Sequence, residues 1–412
     1  MLDIVAVLLV LTAAFAWLNR KFLRWPPTIG VMAIALVVSL GIVGLDRLGF
    51  TEPVSHEQAL LASIDFTDVL MEGMLSVLLF AGALHVDPAR LTRLARPIGL
   101  LAIVGTALST LIVGYGCHWV LGLVGHDLPL VHCLLFGALI SPTDPVAVLG
   151  ILESSHVSRD VESTIAGESL INDGVGVVLF ALLLDMLHSG SPPTVREGIG
   201  LFVQEAVGGV ALGFVLGFGV NAVLASIDDY RVEVLITLAT VIGGYALANR
   251  LHTSGPLAMV VVGLLVGSEG RRWSMSEITR ERLDLFWHLL DEILNSILFV
   301  LIGLEFAVIH YTPGLTRSAV GAVILALLSR FLVVGLPVLC FPAWFRLPPR
   351  SGWLLTWSGV RGGISVALAL SLPPGPERDT VLTLTYSVVV FSILVQGLSI
   401  GFLARRLGLT TV

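Results

Sequence analysis

The sequence has 412 residues, of which 56% are hydrophobic and 13% charged, and its mean hydropathy is +0.94. A soluble domain carries roughly a quarter charged residues, so a chain this long and this apolar has too little polar surface to face water. Its formal charge of -7 comes without any basic tract, which leaves nothing to support a nucleic-acid partner.

The expectation is an all-α polytopic membrane protein. A spanning helix takes about 20 mostly apolar residues. Polar, proline-rich and charged punctuation divides the chain into thirteen such segments: 2–19, 28–45, 67–86, 98–123, 129–152, 163–187, 198–224, 231–250, 254–270, 288–309, 317–342, 351–372 and 380–403. The tenth is expected to extend backward as an amphipathic helix from Ser276. The first segment opens with Asp3 and is followed by Arg20, Lys21 and Arg24. That reverses the charge order of a signal peptide, so it is read as a membrane helix although Ala14-Phe15-Ala16 imitates a cleavage site.

Thirteen spans put the termini on opposite sides. Sixteen of the 23 Lys and Arg residues then fall on one side and five on the other, with Arg330 and Arg361 inside spans. Basic loops mark the cytoplasmic face, which places the N-terminus outside and the C-terminus in the cytoplasm. The sequence contains no stretch long enough for a soluble domain, so activity is expected within the bundle. Cys117, Cys133 and Cys340 form no CxxC or Cys/His cluster and are read as small apolar fillers.

Ionisable groups in hydrocarbon cost several kcal/mol by most scales and mark function by default. In the fifth span, Ser141-Pro142-Thr143-Asp144-Pro145 carries two prolines three apart. Each removes a backbone donor and clashes with the preceding turn, a break that membranes tolerate only where it lines a cavity or meets protein. A proline kink accounts for the prolines but not for Asp144. In the sixth span, Gly167-Glu168-Ser169-Leu170-Ile171-Asn172-Asp173-Gly174-Val175-Gly176 is the sharpest cluster. Ser169 and Asp173 lie four apart on one helix face, and Glu168 and Asn172 share the neighbouring one. A hydroxyl and a carboxylate on one stripe are hard oxygen ligands suited to a small cation. Glu168 near the helix start also suits an ion pair.

Arg330, in the eleventh span, needs a buried carboxylate partner; Glu168 is the candidate and Asp144 the alternative. In the twelfth span, Ser358-Gly359-Val360-Arg361-Gly362-Gly363-Ile364-Ser365 sets three glycines around an arginine. Two interrupted spans, the fifth and twelfth, thus carry opposite charges at their breaks. Corresponding broken helices point to a midplane ion site in an inverted-repeat fold, with Asp144 and Arg361 balancing the partial charges of the broken ends. Asp68, Glu72, Glu233, Asp291, Glu292 and Glu305 sit mostly near span ends and are read as interfacial or interhelical partners.

Together these segments resemble the monovalent cation/proton antiporters, in particular the sodium/proton exchanger branch with its prokaryotic NhaP-type members. Gly167 to Gly174 is similar to that branch's Asn-Asp signature and Thr143-Asp144-Pro145 to its unwound-helix motif. Leu294 to Glu305, Arg361-Gly362-Gly363 and Leu78 to Leu84 are similar to further blocks, so the resemblance covers nearly the whole chain. It implies a homodimer of thirteen-helix protomers. Residues 1–97 and 227–312 would form the interface domain, 98–190 and 313–412 the core, and 191–226 the linking helix. It implies that the ion-binding aspartate falls on Asp173, with Glu168, Ser169, Asn172, Thr143 and Asp144 around it. The bound Na+ would then be held by Asp173, Ser169, Glu168 and Thr143. It also implies a glutamate–arginine bridge from Glu168, with Arg330 or Arg361 as the arginine.

The expected activity is exchange of Na+ (or Li+ or K+) for H+ across the cell membrane by alternating access, with no cofactor and no enzymatic step. Asn172 stands where the electrogenic branch has a second aspartate, so one-for-one, electroneutral exchange is expected. The rival readings are another proton-coupled solute transporter and a cation channel. No GxxxxGK[ST], GxSxG or HExxH motif supports a nucleotide-driven or catalytic role.

Overall fold

Residues 2–47, 74–189, 195–270, 276–305 and 315–410 are described by a computed structural model. The elements, in chain order, are α1 (Leu2–Leu18), α2 (Pro27–Arg47), α3 (Leu75–His85), α4 (88–124), α5 (Leu130–Ile140), α6 (Val146–Ser154), α7 (Arg159–Ser189) and α8 (Val195–Leu224). After these come α9 (Tyr230–Arg250), α10 (Gly255–Leu265), α11 (Glu277–Glu305), α12 (315–340), α13 (Ser351–Trp357), α14 (Gly363–Leu370) and α15 (376–407). Among the described residues, nine helices are long and apolar enough to cross a membrane, and three shorter ones are apolar. The expected spans recur as helices at their sequence positions. The first part of segment 67–86, with Asp68 and Glu72, lies outside the described residues.

Helix starts follow local chemistry. Asp87 caps α4 by accepting from the amides of Ala89 and Arg90 at 3.0 and 3.4 Å, with Pro88 in the first turn. Asp229 caps α9 and Ser254 caps α10 in the same way. Each cap satisfies an amide that has no partner inside the helix. The amphipathic start expected for the tenth span is continuous with it as α11, and Ser276 accepts from the Thr279 amide.

Both expected interruptions are present. Helix α5 stops at Ile140 and α6 resumes at Val146, while α13 stops at Trp357 and α14 resumes at Gly363. A feature not anticipated is a set of wide π turns inside long helices: Leu100–Gly105 in α4, Phe331–Gly335 in α12 and Ser392–Gly397 in α15. Such turns re-aim the side chains that follow them.

Large apolar side chains such as Val10, Trp119, Val215 and Leu235 are exposed on outward faces. Thr143, Glu168, Ser169, Asn172, Asp173, Arg330 and Arg361 instead turn inward, as expected where lipid is the outer solvent. Of three clusters that fill the interior, two are extensive. The larger gathers Phe136, Phe299, Leu298, Leu355, Val366 and Tyr386. The other packs Phe80, Val241, Met259 and Trp287, from α3, α9, α10 and α11. Trp287 lies 4.5 Å from the Phe80 ring and donates its indole N–H to Thr237 at 3.2 Å. Cys117 and Cys133 are buried as expected, but Cys340 is exposed, because it ends α12 on an outward face.

Candidate ion-binding site

The two breaks meet. The backbone amide of Asp144 donates to the Val360 carbonyl at 2.8 Å, so each unwound stretch satisfies part of the other. Asp144 also accepts from the Val146 amide at 2.9 Å, which places its carboxylate at the N-terminus of α6 where a negative charge is favoured. A Cβ on Gly362 would overlap the Asp144 side chain, so the crossing is close because residue 362 has none. Gly176 plays the same part between α7 and the fifth span: a Cβ there would enter the Pro142 ring.

Helix α7 lies against this crossing and presents its two polar faces as the spacing predicts. Asn172 donates to Glu168 Oε1 at 2.7 Å and to Thr143 Oγ1 at 3.0 Å. It accepts from the Thr143 amide at 3.2 Å. Its amide therefore ties α7 to the broken strand of backbone at both ends. Ser169 donates to the Thr143 carbonyl.

Arg330 and Glu168 settle the question of partners that the sequence left open. Arg330 Nη1 and Nη2 reach Glu168 Oε1 and Oε2 at 2.7 and 2.6 Å. The glutamate side chain is 1% exposed and the arginine 5%. A parallel two-bond fork is the strongest arrangement these groups form. Arg330 Nε adds a bond to the Leu355 carbonyl at 3.3 Å, fastening α12 to α13. Arg361 is buried and does not share this pair; its backbone amide donates to Ser392 Oγ at 3.0 Å.

Asp173 differs from its neighbours. It is 7% exposed, and among the described residues its carboxylate accepts no hydrogen bond, although Asp144, Glu168 and Arg361 act on it electrostatically. All eight residues singled out from the sequence (Thr143, Asp144, Glu168, Ser169, Asn172, Asp173, Arg330 and Arg361) thus belong to one region around the two crossed breaks. Sequence reasoning passed over Ser392 and Gln396. Ser392 holds the Arg361 backbone from both sides, accepting from its amide and donating to its carbonyl at 3.2 Å; Gln396 donates to the Trp357 carbonyl at 3.0 Å. A glutamine in an apolar run was the signal available for the second.

Asp68 and Glu72 lie outside the described residues, and among the described ones Glu233, Asp291, Glu292 and Glu305 make no hydrogen bond or ion pair to another helix. Asp291 bonds within its own helix to Asn295 at 3.1 Å, and Glu292 lies 3.9 Å from His288. Glu233 is buried, and neither of its oxygens has a hydrogen-bond partner among the described residues. It sits in the first turn of α9, and its nearness to the helix start brings it no partner.

Crossed broken helices, a buried carboxylate free of hydrogen bonds among the described residues and an adjacent ion pair define a helical membrane transporter of the antiporter fold. The chain belongs to the sodium/hydrogen exchanger family, whose transmembrane profile matches residues 8–406. It is 51% identical over 412 residues to the Na+/H+ antiporter NhaP of Pseudomonas aeruginosa, covering 99% of this chain and 97% of that one. It is 35% identical over 395 residues to the Na+/H+ antiporter NhaH of Halobacillus dabanensis, covering 94% of each. In fold it is similar to the sodium proton antiporter MjNhaP1 from Methanocaldococcus jannaschii at pH 8. There the TM-score is 0.73 at 19% identity, over 98% of this chain and 97% of that one.

Proposed function

We propose that this protein exchanges Na+, or another monovalent cation, for H+ by letting the two compete for Asp173. The observation that carries this is the Asp173 carboxylate itself: buried, without a hydrogen bond among the described residues, and adjoining the crossing of two unwound helices. The naming of its relatives as Na+/H+ antiporters supports the choice of ions. Ser169 and Thr143 supply further oxygen near it, from a hydroxyl and from the freed backbone of the break. Glu168, whose two oxygens face Arg330, serves in this reading as a fixed pair that positions α7 rather than as a direct ligand.

A buried carboxylate is favoured in its ionised form by a bound cation and in its neutral form by desolvation. Proton and cation then exclude one another. An empty, charged Asp173 is costly to carry past an apolar barrier, so only the loaded core moves. Because Asn172 holds no exchangeable proton and Glu168 is held by Arg330, one proton exchanges for one cation and the cycle carries no net charge.

In the same reading, residues 98–190 and 313–412 move as a core against an interface formed by 1–97 and 227–312, with 191–226 linking them. The cluster around Phe80 and Trp287 draws its α3, α9, α10 and α11 members from the interface segments, although Leu298 and Phe299 of α11 pack with the core. The interface pairs two protomers in the cell membrane, with the N-terminus outside. The cycle uses the ion gradients alone and invokes no cofactor.

The test is proteoliposomes holding a pH gradient reported by an entrapped dye. Added Na+ should dissipate the gradient with the native protein and not with Asp173→Asn, and clamping the membrane potential at different values should leave the rate unchanged. Gradient-independent cation flux would point to a channel. Failure of Na+, Li+ and K+ alike would point to another proton-coupled solute.

A further inference from the structure

Outside the ion site, a cavity of about 460 Å³ opens between the start of α4 and the segment after α12. Its lining includes Arg93, Arg96, Arg346, Thr92, Pro97 and Trp344. We propose that this cavity binds the phosphate-bearing headgroup of an anionic glycerophospholipid, whose chains lie along the outward face of α4.

The charge balance favours an anion. Arg93 and Arg90 both pair with Asp160, and Arg90 with Asp87 as well. Arg96 makes no ion pair or hydrogen bond among the described residues. Arg346 donates Nη1 to the Arg93 carbonyl at 3.0 Å, which fixes its guanidinium beside α4 without neutralising it. Two arginine forks therefore converge on one space with no carboxylate of their own, the geometry that recognises a phosphodiester.

The surroundings favour a lipid over a free phosphate. Leu100, Ile103 and Val104 follow Arg96 at intervals of four, seven and eight residues, and all three are exposed. Across the cleft, Leu332, Leu336 and Phe341 are exposed as well. The π turns of the two helices face each other here, with Gly105 against Val333. Trp344 is 52% exposed and stands edge-on to Phe345 at 4.8 Å, as ring side chains do at the level of membrane headgroups. A basic pocket at the end of such an apolar cleft matches an anionic headgroup with its chains attached. The trimethylammonium of a zwitterionic choline lipid would meet the same arginines with like charge.

The experiment uses the full chain in a neutral detergent, with binding read by native mass spectrometry and by thermal melting. Added phosphatidylglycerol should be retained and should raise the melting temperature; phosphatidylcholine and inorganic phosphate at equal concentration should do neither. Arg96→Gln, at an exposed and unpaired side chain, should weaken phosphatidylglycerol binding by about tenfold or more, and adding Arg346→Gln should abolish the shift. Arg406→Gln, on the basic C-terminal turn of α15, should leave it intact. Equal binding by native protein and Arg96→Gln, equal response to phosphatidylcholine, or an equal response to inorganic phosphate would each overturn the proposal. All readouts are binding measurements, so they stand or fall independently of ion exchange.

Discussion

Glu168 and Asp173 are five residues apart on one helix and live in opposite circumstances. Glu168 is gripped at both oxygens by Arg330, at 2.7 and 2.6 Å, and again by Asn172. Asp173 accepts no hydrogen bond from any described residue; of the charged groups near it, Arg361 attracts its carboxylate while Asp144 and Glu168 repel it. A carboxylate already satisfied by protein has little to gain from a cation. One that is buried and unsatisfied has much to gain, from a cation or from a proton. That asymmetry assigns structure to one acid and transport to the other, and their substitutions should behave differently.

Glu168→Gln leaves the Arg330 charge buried without its counter-ion. Removing one partner of such a pair costs about 3–5 kcal/mol, so this variant should melt well below the native protein in detergent. Replacing both members together, as Glu168→Leu with Arg330→Met, should recover much of the loss, because two apolar groups need no partners. A double variant no more stable than the single one would show that the pair is not what the fold depends on.

Asp173→Asn removes a charge that no donor compensates. Its melting temperature should equal or exceed that of the native protein, while cation-driven proton movement falls to background. If the loss of transport came instead with a collapse in melting temperature, Asp173 would be a structural residue and its assignment as the ion carrier would fail.

Competition for one carboxylate also dictates the pH dependence. Where the protonated form dominates, the apparent affinity for Na+ should weaken about tenfold for each unit fall in pH. As pH rises through the midpoint of Asp173, the affinity should level off. Half-saturation for Na+ in the dye assay, measured over a series of pH values on the side of addition, gives this slope directly. A flat profile would mean that proton and cation bind at different places.

Gly362→Ala tests the crossing. Its new methyl would meet the Asp144 side chain, and the two breaks can part only by losing the Asp144 amide's bond to Val360. Overpacking at a tight contact costs about 1–3 kcal/mol, and exchange should be severely slowed. Alanine at Gly41, where a Cβ meets nothing within 4 Å, is the matched control and should transport normally.

Much of this was readable from the chain alone. A bilayer removes the alternative solvents for a backbone, so composition and the positions of charges suffice to identify membrane helices. Prolines at 142 and 145 and glycines at 359, 362 and 363 mark where helices break, because each residue type acts on its own local backbone. The four-residue spacing of Glu168 with Asn172 and of Ser169 with Asp173 follows from helical pitch. Tertiary structure decided everything that depends on which groups meet across helices. Arg330 and Arg361 are equally buried arginines by sequence, and only the fold brings the Arg330 guanidinium to Glu168. Ser392 had no local reason to matter until its side chain met the backbone of Arg361, and Gln396, conspicuous in its apolar run, gave no sign of its partner, the Trp357 carbonyl. The freedom of Asp173 is likewise visible only in space: even Arg361, whose buried Nη1 has no partner among the described residues, makes no hydrogen bond to it.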